Sequence, residues 1–118
     1  MTNYKRGDIV LVPFPFSNQT TTKKRPAVIV SSDVYNNDSS DIVIIAITGK
    51  TDKVLSIGEC LIEDWRAAGL LKPSAIKPAI STIEQTLVLK KLGRLSSKDL
   101  ISMENTLKWF LDLGEIKK

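Results

Sequence analysis

Three consecutive cations, Lys23, Lys24 and Arg25, stand directly before Pro26 and the apolar run Ala27-Val28-Ile29-Val30. The chemistry that suits this pattern is the gripping of phosphate. A guanidinium offers five donors in a planar fork and stays charged at every working pH. Here it is placed where a polar loop ends and a strand begins, beside the fixed φ of a proline. Lys50 and Lys53 follow a second apolar run, Asp41–Thr48. Taken singly, each basic run reads first as a solvated turn.

What is missing narrows the chemistry further. The chain has no histidine and a single cysteine, Cys60, which removes the commonest general acid and base near neutral pH, the His-dependent triads and most zinc sites. Neither a G-x-x-x-x-G-K-[ST] loop nor a G-x-G-x-x-G turn is present, so no nucleotide cofactor is expected. Asp33, Asp38 and Asp41 flank one loop and form the one candidate cluster for a hard cation. Asn36-Asn37-Asp38-Ser39-Ser40 is better explained as turn chemistry, so no metal or other cofactor is expected.

The elements that must position these residues read as strands first and a helix last. With 118 residues, 42% hydrophobic and 25% charged, the chain has the size and composition of one domain, 1–118. Seventeen Lys and Arg against thirteen Asp and Glu give a net charge of +4, compatible with an anionic partner. One cysteine allows no internal disulfide. There is no secretory h-region and no apolar run near the ~18 residues of a membrane span, so a cytoplasmic protein without membrane contact is expected. Strands are predicted over Asp8–Phe14, 25–31 and Asp41–Thr48, with a polar loop over 15–24 and a turn over 33–40. Further strands are predicted over 55–62 (broken at Gly58), 74–77, 82–85 and 86–92, with breaks at Pro73 and Pro78. A short helix is predicted over 63–68.

The C-terminal segment has a helical start signal at Ser96 and Asp99 and a predicted C-cap at Gly114. Leu100, Met103, Leu107, Phe110 and Leu111 fall within an arc of about 100°, so this helix lies on the sheet. Trp109 falls on its opposite side, either as a lone exposed aromatic or as part of a partner surface. Trp65 and the pair Phe14 and Phe16 read as packing residues, with base stacking the alternative for the two phenylalanines. The fold class is therefore mainly β (α+β), a small SH3-like barrel of short, strongly bent strands with a packed C-terminal α-helix.

Five blocks in order carry a wider resemblance: Gly7-Asp8-Ile9-Val10-Leu11-Val12, Phe14-Pro15-Phe16-Ser17, Lys24-Arg25-Pro26-Ala27-Val28-Ile29-Val30-Ser31, Ile45-Ala46-Ile47-Thr48 and Ala68-Gly69-Leu70-Leu71-Lys72-Pro73-Ser74. With Leu92-Gly93-Arg94-Leu95-Ser96 they resemble the PemK/MazF-like toxins of bacterial toxin-antitoxin systems over nearly the whole chain. The resemblance implies an SH3-like barrel, a homodimer, a cognate antitoxin partner and a metal-independent endoribonuclease that cuts single-stranded RNA at short sequences. It maps the catalytic pair onto Arg25 and Thr48, and the RNA contacts onto Phe14, Ser17, Lys23, Lys24, Pro26, Gly49, Lys50, Lys53 and Thr82. Such chemistry needs no imidazole nucleophile, because the neighbouring 2′-hydroxyl of RNA attacks the phosphate itself. Many members carry a Gln and an Arg where Ala79 and Ser81 stand here, so no cleavage sequence carries over. Two other functions stay open: a non-catalytic toxin of this fold that poisons DNA gyrase, and a non-cleaving module that binds RNA or an acidic peptide.

Overall fold

The computed structural model of the chain describes residues 3–14, 23–51 and 57–115. Its six strands, β1 (Asp8–Phe14), β2 (Lys23–Ile29), β3 (Asp41–Thr48), β4 (Cys60–Ile62), β5 (Ser74–Glu84) and β6 (Lys90–Arg94), form one sheet in the order β4-β5-β3-β2-β1-β6. Every neighbouring pair is antiparallel. The sheet curls into a half-barrel, and helices α1 (Asp33–Asp38) and α2 (Ser97–Leu111) complete the mainly-β fold with a C-terminal helix that the sequence predicts.

The runs in β1, β2 and β3 are apolar at successive positions because side chains alternate across a strand and both faces are buried here. On one face Ile9, Val28, Ile45, Ile47 and Ile76 pack with Met103 of α2, and Trp65, Leu100 and Leu107 lean against them. On the other, Val10, Val12, Ala27, Ile29, Ile42, Ile44 and Ile83 form a second cluster with Tyr4 and Val88 at its edge. Helix α2 thus covers part of the first face. Ser96 caps it by accepting the Asp99 N–H at 3.2 Å, and Trp109 remains on the outer side, 57% exposed. Among the described residues, no helix is long and apolar enough to cross a membrane.

Several elements differ from the sequence expectation. Residues 33–38 form α1 rather than a turn, because the Ser32 hydroxyl accepts the Tyr35 N–H and starts a helix. Asn36 is buried within it, accepting from Ser31 and donating to the Ser31 carbonyl. Residues 63–69 are a series of turns, not a helix. Residues 74–84 are one strand where two were predicted. Pro78 does not break β5 because it falls in a register gap, between Ile45↔Ile80 and Ile47↔Ile76, where a missing N–H costs no ladder bond. Residues 85–87 are a single 3-10 turn, and β6 begins only at Lys90. Strand β2 begins at Lys23, so Lys23 and Lys24 belong to the strand rather than the loop before it, and it ends at Ile29. Only Cys60–Ile62 of the strand predicted at 55–62 is observed, and residues 52–56 lie outside the described set. Helix α2 ends at Leu111 and its C-cap is Asp112, left-handed at φ 58°, rather than Gly114, which lies two residues beyond, also at positive φ (105°). An aspartate tolerates that region, and the Leu113 N–H closes the end on the Lys108 carbonyl at 2.9 Å.

Candidate functional site

Arg25 is placed by the pairing of three strands. On one side it faces Val12 of β1. On the other, β2 and β3 pair Ala27 with Ala46, Val28 with Ile45 and Ile29 with Ile44. The ladder stops at Ala27 because Pro26 has no N–H to donate. Carried on in the same register, Arg25 falls opposite Thr48, and opposed residues share a face of the sheet. Thr48 also faces Ala75 of β5 across its other edge. Its Oγ1 accepts the Lys50 N–H at 3.2 Å, which engages a lone pair and leaves the hydroxyl proton to donate elsewhere.

Beside Arg25 opens a cavity of about 660 Å³. Its apolar floor comes from Leu11, Pro26, Ile47, Leu70 and Leu92, and its charged lining is Lys23, Lys24, Arg25, Lys72 and Lys90. Among the described residues, five cations and no carboxylate line it. In a chain whose net charge is +4, that gathers more positive charge than the molecule carries overall, a setting that favours an anion with an apolar portion. Carboxylates elsewhere hold other cations: Asp8 takes Lys91 and Arg94, each at 3.2 Å, Glu104 takes Arg6 at 2.7 Å, and Glu63 takes Lys98 at 3.1 Å.

Of the residues singled out from sequence, Lys23, Lys24, Arg25, Pro26 and Gly49 come together in the lining. Thr48 is not itself a lining residue, although Ile47 and Gly49 on either side of it are. Lys50 follows as an exposed residue. The structure does not bring Thr82 to the cavity: it pairs with Val43, at the other end of β5 from Ala75. Ala79 falls in the register gap of β5, and Ser81 pairs with Ile44. Phe14 ends β1 opposite Lys23, while Phe16, Ser17 and Lys53 lie outside the described residues. Among those residues, no cluster of three or more His, Cys, Asp or Glu has metal-holding geometry. Trp65 packs on the core and carries the Arg66 guanidinium 4.9 Å from its ring centroid.

Lys72, Ser74 and Lys90 were not singled out as site residues from sequence, yet all three line the cavity. For Lys90 a signal existed: two adjacent lysines on a strand must point to opposite faces, and Lys91 is the one that turns to Asp8. Lys72 arrives through the turns at 63–69. The Asp99 carboxylate ties these down by accepting the Glu63 and Asp64 N–H groups at 3.0 and 2.9 Å. Gly69 then crosses β6 so closely that a Cβ there would strike the Leu92 carbonyl, and a Cβ on Gly93 would strike that of Ala68. Only glycine fits at either position. Cys60 lies outside this lining, and burial pushes its thiol up, keeping it protonated and unsuited to nucleophilic work.

The family model for PemK-like, MazF-like toxins of type II toxin-antitoxin systems matches residues 5–111. An Endoribonuclease MazF of Staphylococcus saprophyticus is 30% identical over 115 residues, covering 96% of this chain and 95% of that protein. Among solved structures, a mycobacterial endoribonuclease in complex with its cognate antitoxin superposes with a TM-score of 0.76 at 16% identity, over 98% of this chain and 99% of that one. A MazE-MazF structure from Deinococcus radiodurans gives a TM-score of 0.75 at 14% identity, over 97% and 100% of the respective chains.

Proposed function

Because the chain belongs to the PemK-like, MazF-like toxin family of type II toxin-antitoxin systems, we propose that it is a metal-independent endoribonuclease cutting single-stranded RNA at short sequences. The observation that carries this reading is a cavity that, among the described residues, five cations and no carboxylate line, with Arg25 at its edge and Thr48 across the register from Arg25. In this reading the 2′-oxygen of RNA attacks the adjacent phosphorus, and the bond from phosphorus to the 5′-oxygen breaks. The 2′-hydroxyl gives up its proton and the departing 5′-oxygen takes one up, leaving a 2′,3′-cyclic phosphate and a 5′-hydroxyl.

Negative charge gathers on the non-bridging oxygens as the attack proceeds. The Arg25 fork grips these oxygens and stabilises that charge, and the Thr48 hydroxyl donates to one of them. A guanidinium holds its proton too tightly to donate it readily, so it serves better as a clamp than as a proton donor. The substrate brings the nucleophile and the protein brings alignment and positive charge, so neither histidine nor a metal is required. The apolar floor accepts a base while the lysines hold backbone phosphates.

A cognate antitoxin and a second copy of the chain are the proposed protein partners. The family match and the antitoxin-bound mycobacterial relative support the first. An acidic segment that orders on binding would suit the cationic lining and block RNA. The exposed apolar residues Trp109, Phe110, Leu111 and Leu113 near the end of α2 offer surface for either partner.

The test is to incubate the protein with a long single-stranded RNA in EDTA, alongside Arg25→Ala, and to map the ends. Discrete cuts with 5′-hydroxyl ends are expected, slowed by on the order of 10² to 10³-fold in the variant. Cleavage by Arg25→Ala at the wild-type rate, or RNA left intact by the wild type across many sequences, would overturn the reading. In the second case, inhibition of DNA gyrase is the next assay.

A further inference from the structure

Lys72 lies against Gly49. A Cβ built on Gly49 would collide with Cε of Lys72 and would sit 2.8 Å from its Nζ, and no other residue comes as near. The lysine side chain therefore occupies the space that a side chain at position 49 would fill. Its ammonium is held at the turn joining Thr48 to Lys50, on the rim of the cavity that Arg25 also lines. Lys72 itself is exposed. Among the described residues its ammonium makes no ion pair, and Glu63 and Asp64, in the turns that precede it in sequence, pair with Lys98.

Its backbone is fixed from both sides. The Ser74 hydroxyl donates to the Lys72 carbonyl at 2.9 Å, and the preceding turns are held by Asp99 and by the close crossing of Gly69 over β6. A flexible lysine on a solvated loop gains little from one contact, because ordering it costs side-chain entropy. A lysine whose stem is laid in a glycine notch, on a rim with four other cations, is instead pre-organised for an anion.

We infer that Lys72 is a phosphate-binding residue of this site: it holds a backbone phosphate of the RNA other than the scissile one, and Gly49 acts by seating Lys72. The inference rests on the proposed ribonuclease reading for the identity of the anion. It assigns Gly49 a role different from direct contact with RNA, and it places a cation opposite β2, so that the strand runs between Arg25 on one side and Lys72 on the other. Lys72 supplies binding and register. Arg25 supplies the charge that the transition state needs.

Two readouts on the full-length protein test this. Binding is followed with a short fluorescent single-stranded RNA made resistant to cleavage by a 2′-deoxy substitution at the scissile nucleotide, over a series of salt concentrations. Lys72→Gln is expected to weaken binding about tenfold at low salt and to lower the slope of log affinity against log salt by about 0.7, the loss of one phosphate contact to a single strand. Lys72→Arg restores both. Lys5→Gln, an equal charge change at the far end of β1, leaves the slope unaltered.

Gly49→Ala should fold normally, since what must give way is the tip of a flexible side chain, and it should reproduce the Lys72→Gln phenotype. The double variant should be no worse than either single one, because both remove the same contact. Cleavage measured in parallel should show KM raised with kcat nearly unchanged. An unaltered salt slope in Lys72→Gln would overturn the inference. Additive effects of the two substitutions would do so for the role given to Gly49. Wild type that binds the RNA with this Lys72 dependence yet never cuts would uphold the phosphate contact while removing the ribonuclease reading. Wild type that neither binds nor cuts would remove both.

Discussion

At the scale of single residues, Arg25 and Thr48 each have a neighbour that orients them. Pro26 fixes the backbone beside Arg25, and the Lys50 N–H occupies one side of the Thr48 hydroxyl. Thr48→Val keeps the shape of that side chain and removes its donor, so single-turnover cleavage should slow on the order of 10²-fold. Thr48→Ser should retain most activity, and a Val variant as fast as wild type would leave Thr48 a purely structural strand end. Asp8 is the contrasting case, a buried carboxylate with no part in the chemistry. It accepts the Lys5 N–H at 2.9 Å and pairs with Lys91 and Arg94. Those two cations are half exposed and would return to water on Asp8→Ala, so the full penalty of an orphaned buried charge does not apply. A loss of about 1–3 kcal/mol in urea unfolding is expected, with cleavage per folded molecule unchanged. Arg25 was legible in the sequence because three cations end abruptly at a proline and a strand. Lys72 was not, because its contact with Gly49 exists only once two distant segments have been brought together.

At the scale of elements, the sequence showed those parts whose local pattern and tertiary role agree. Asp8–Phe14 and Asp41–Thr48 are β-branched runs bounded by turn residues, and the structure has strands with those limits. The N-terminus of α2 was signalled by Ser96 and Asp99. Its end was not, because the residue that caps it is an aspartate two positions before the glycine. The continuity of β5 was hidden by Pro78, and α1 by an Asn- and Ser-rich segment that a single capping hydroxyl turns into a helix. Asp99 shows how one element's cap becomes another's anchor. Besides standing in the first turn of α2, it receives two N–H groups from the turns that carry Lys72 toward the cavity. Asp99→Ala leaves those donors without their acceptor, at an expected cost of about 1–3 kcal/mol in thermal or urea unfolding. It should also raise KM for RNA more than it lowers kcat. An unchanged KM in a folded Asp99→Ala protein would show that Lys72 is positioned without these turns.

At the scale of the whole molecule, β1 stands between β2 and β6, so the first strand made is completed by the last. Asp8 meets Arg94 across that late seam, and Asp99 then secures the wall of the cavity. Loop closure over such a separation is slow, and contacts of this kind form late in folding. A ribosome that has released Arg25 and Thr48 from its exit tunnel has therefore released the proposed catalytic pair without Lys90, Leu92 or the anchored turns around it. On the proposed ribonuclease reading, a chain that has not yet supplied β6 and α2 lacks part of the wall of its site. An antitoxin translated alongside would thus have a grace period set by chain topology in which to be waiting.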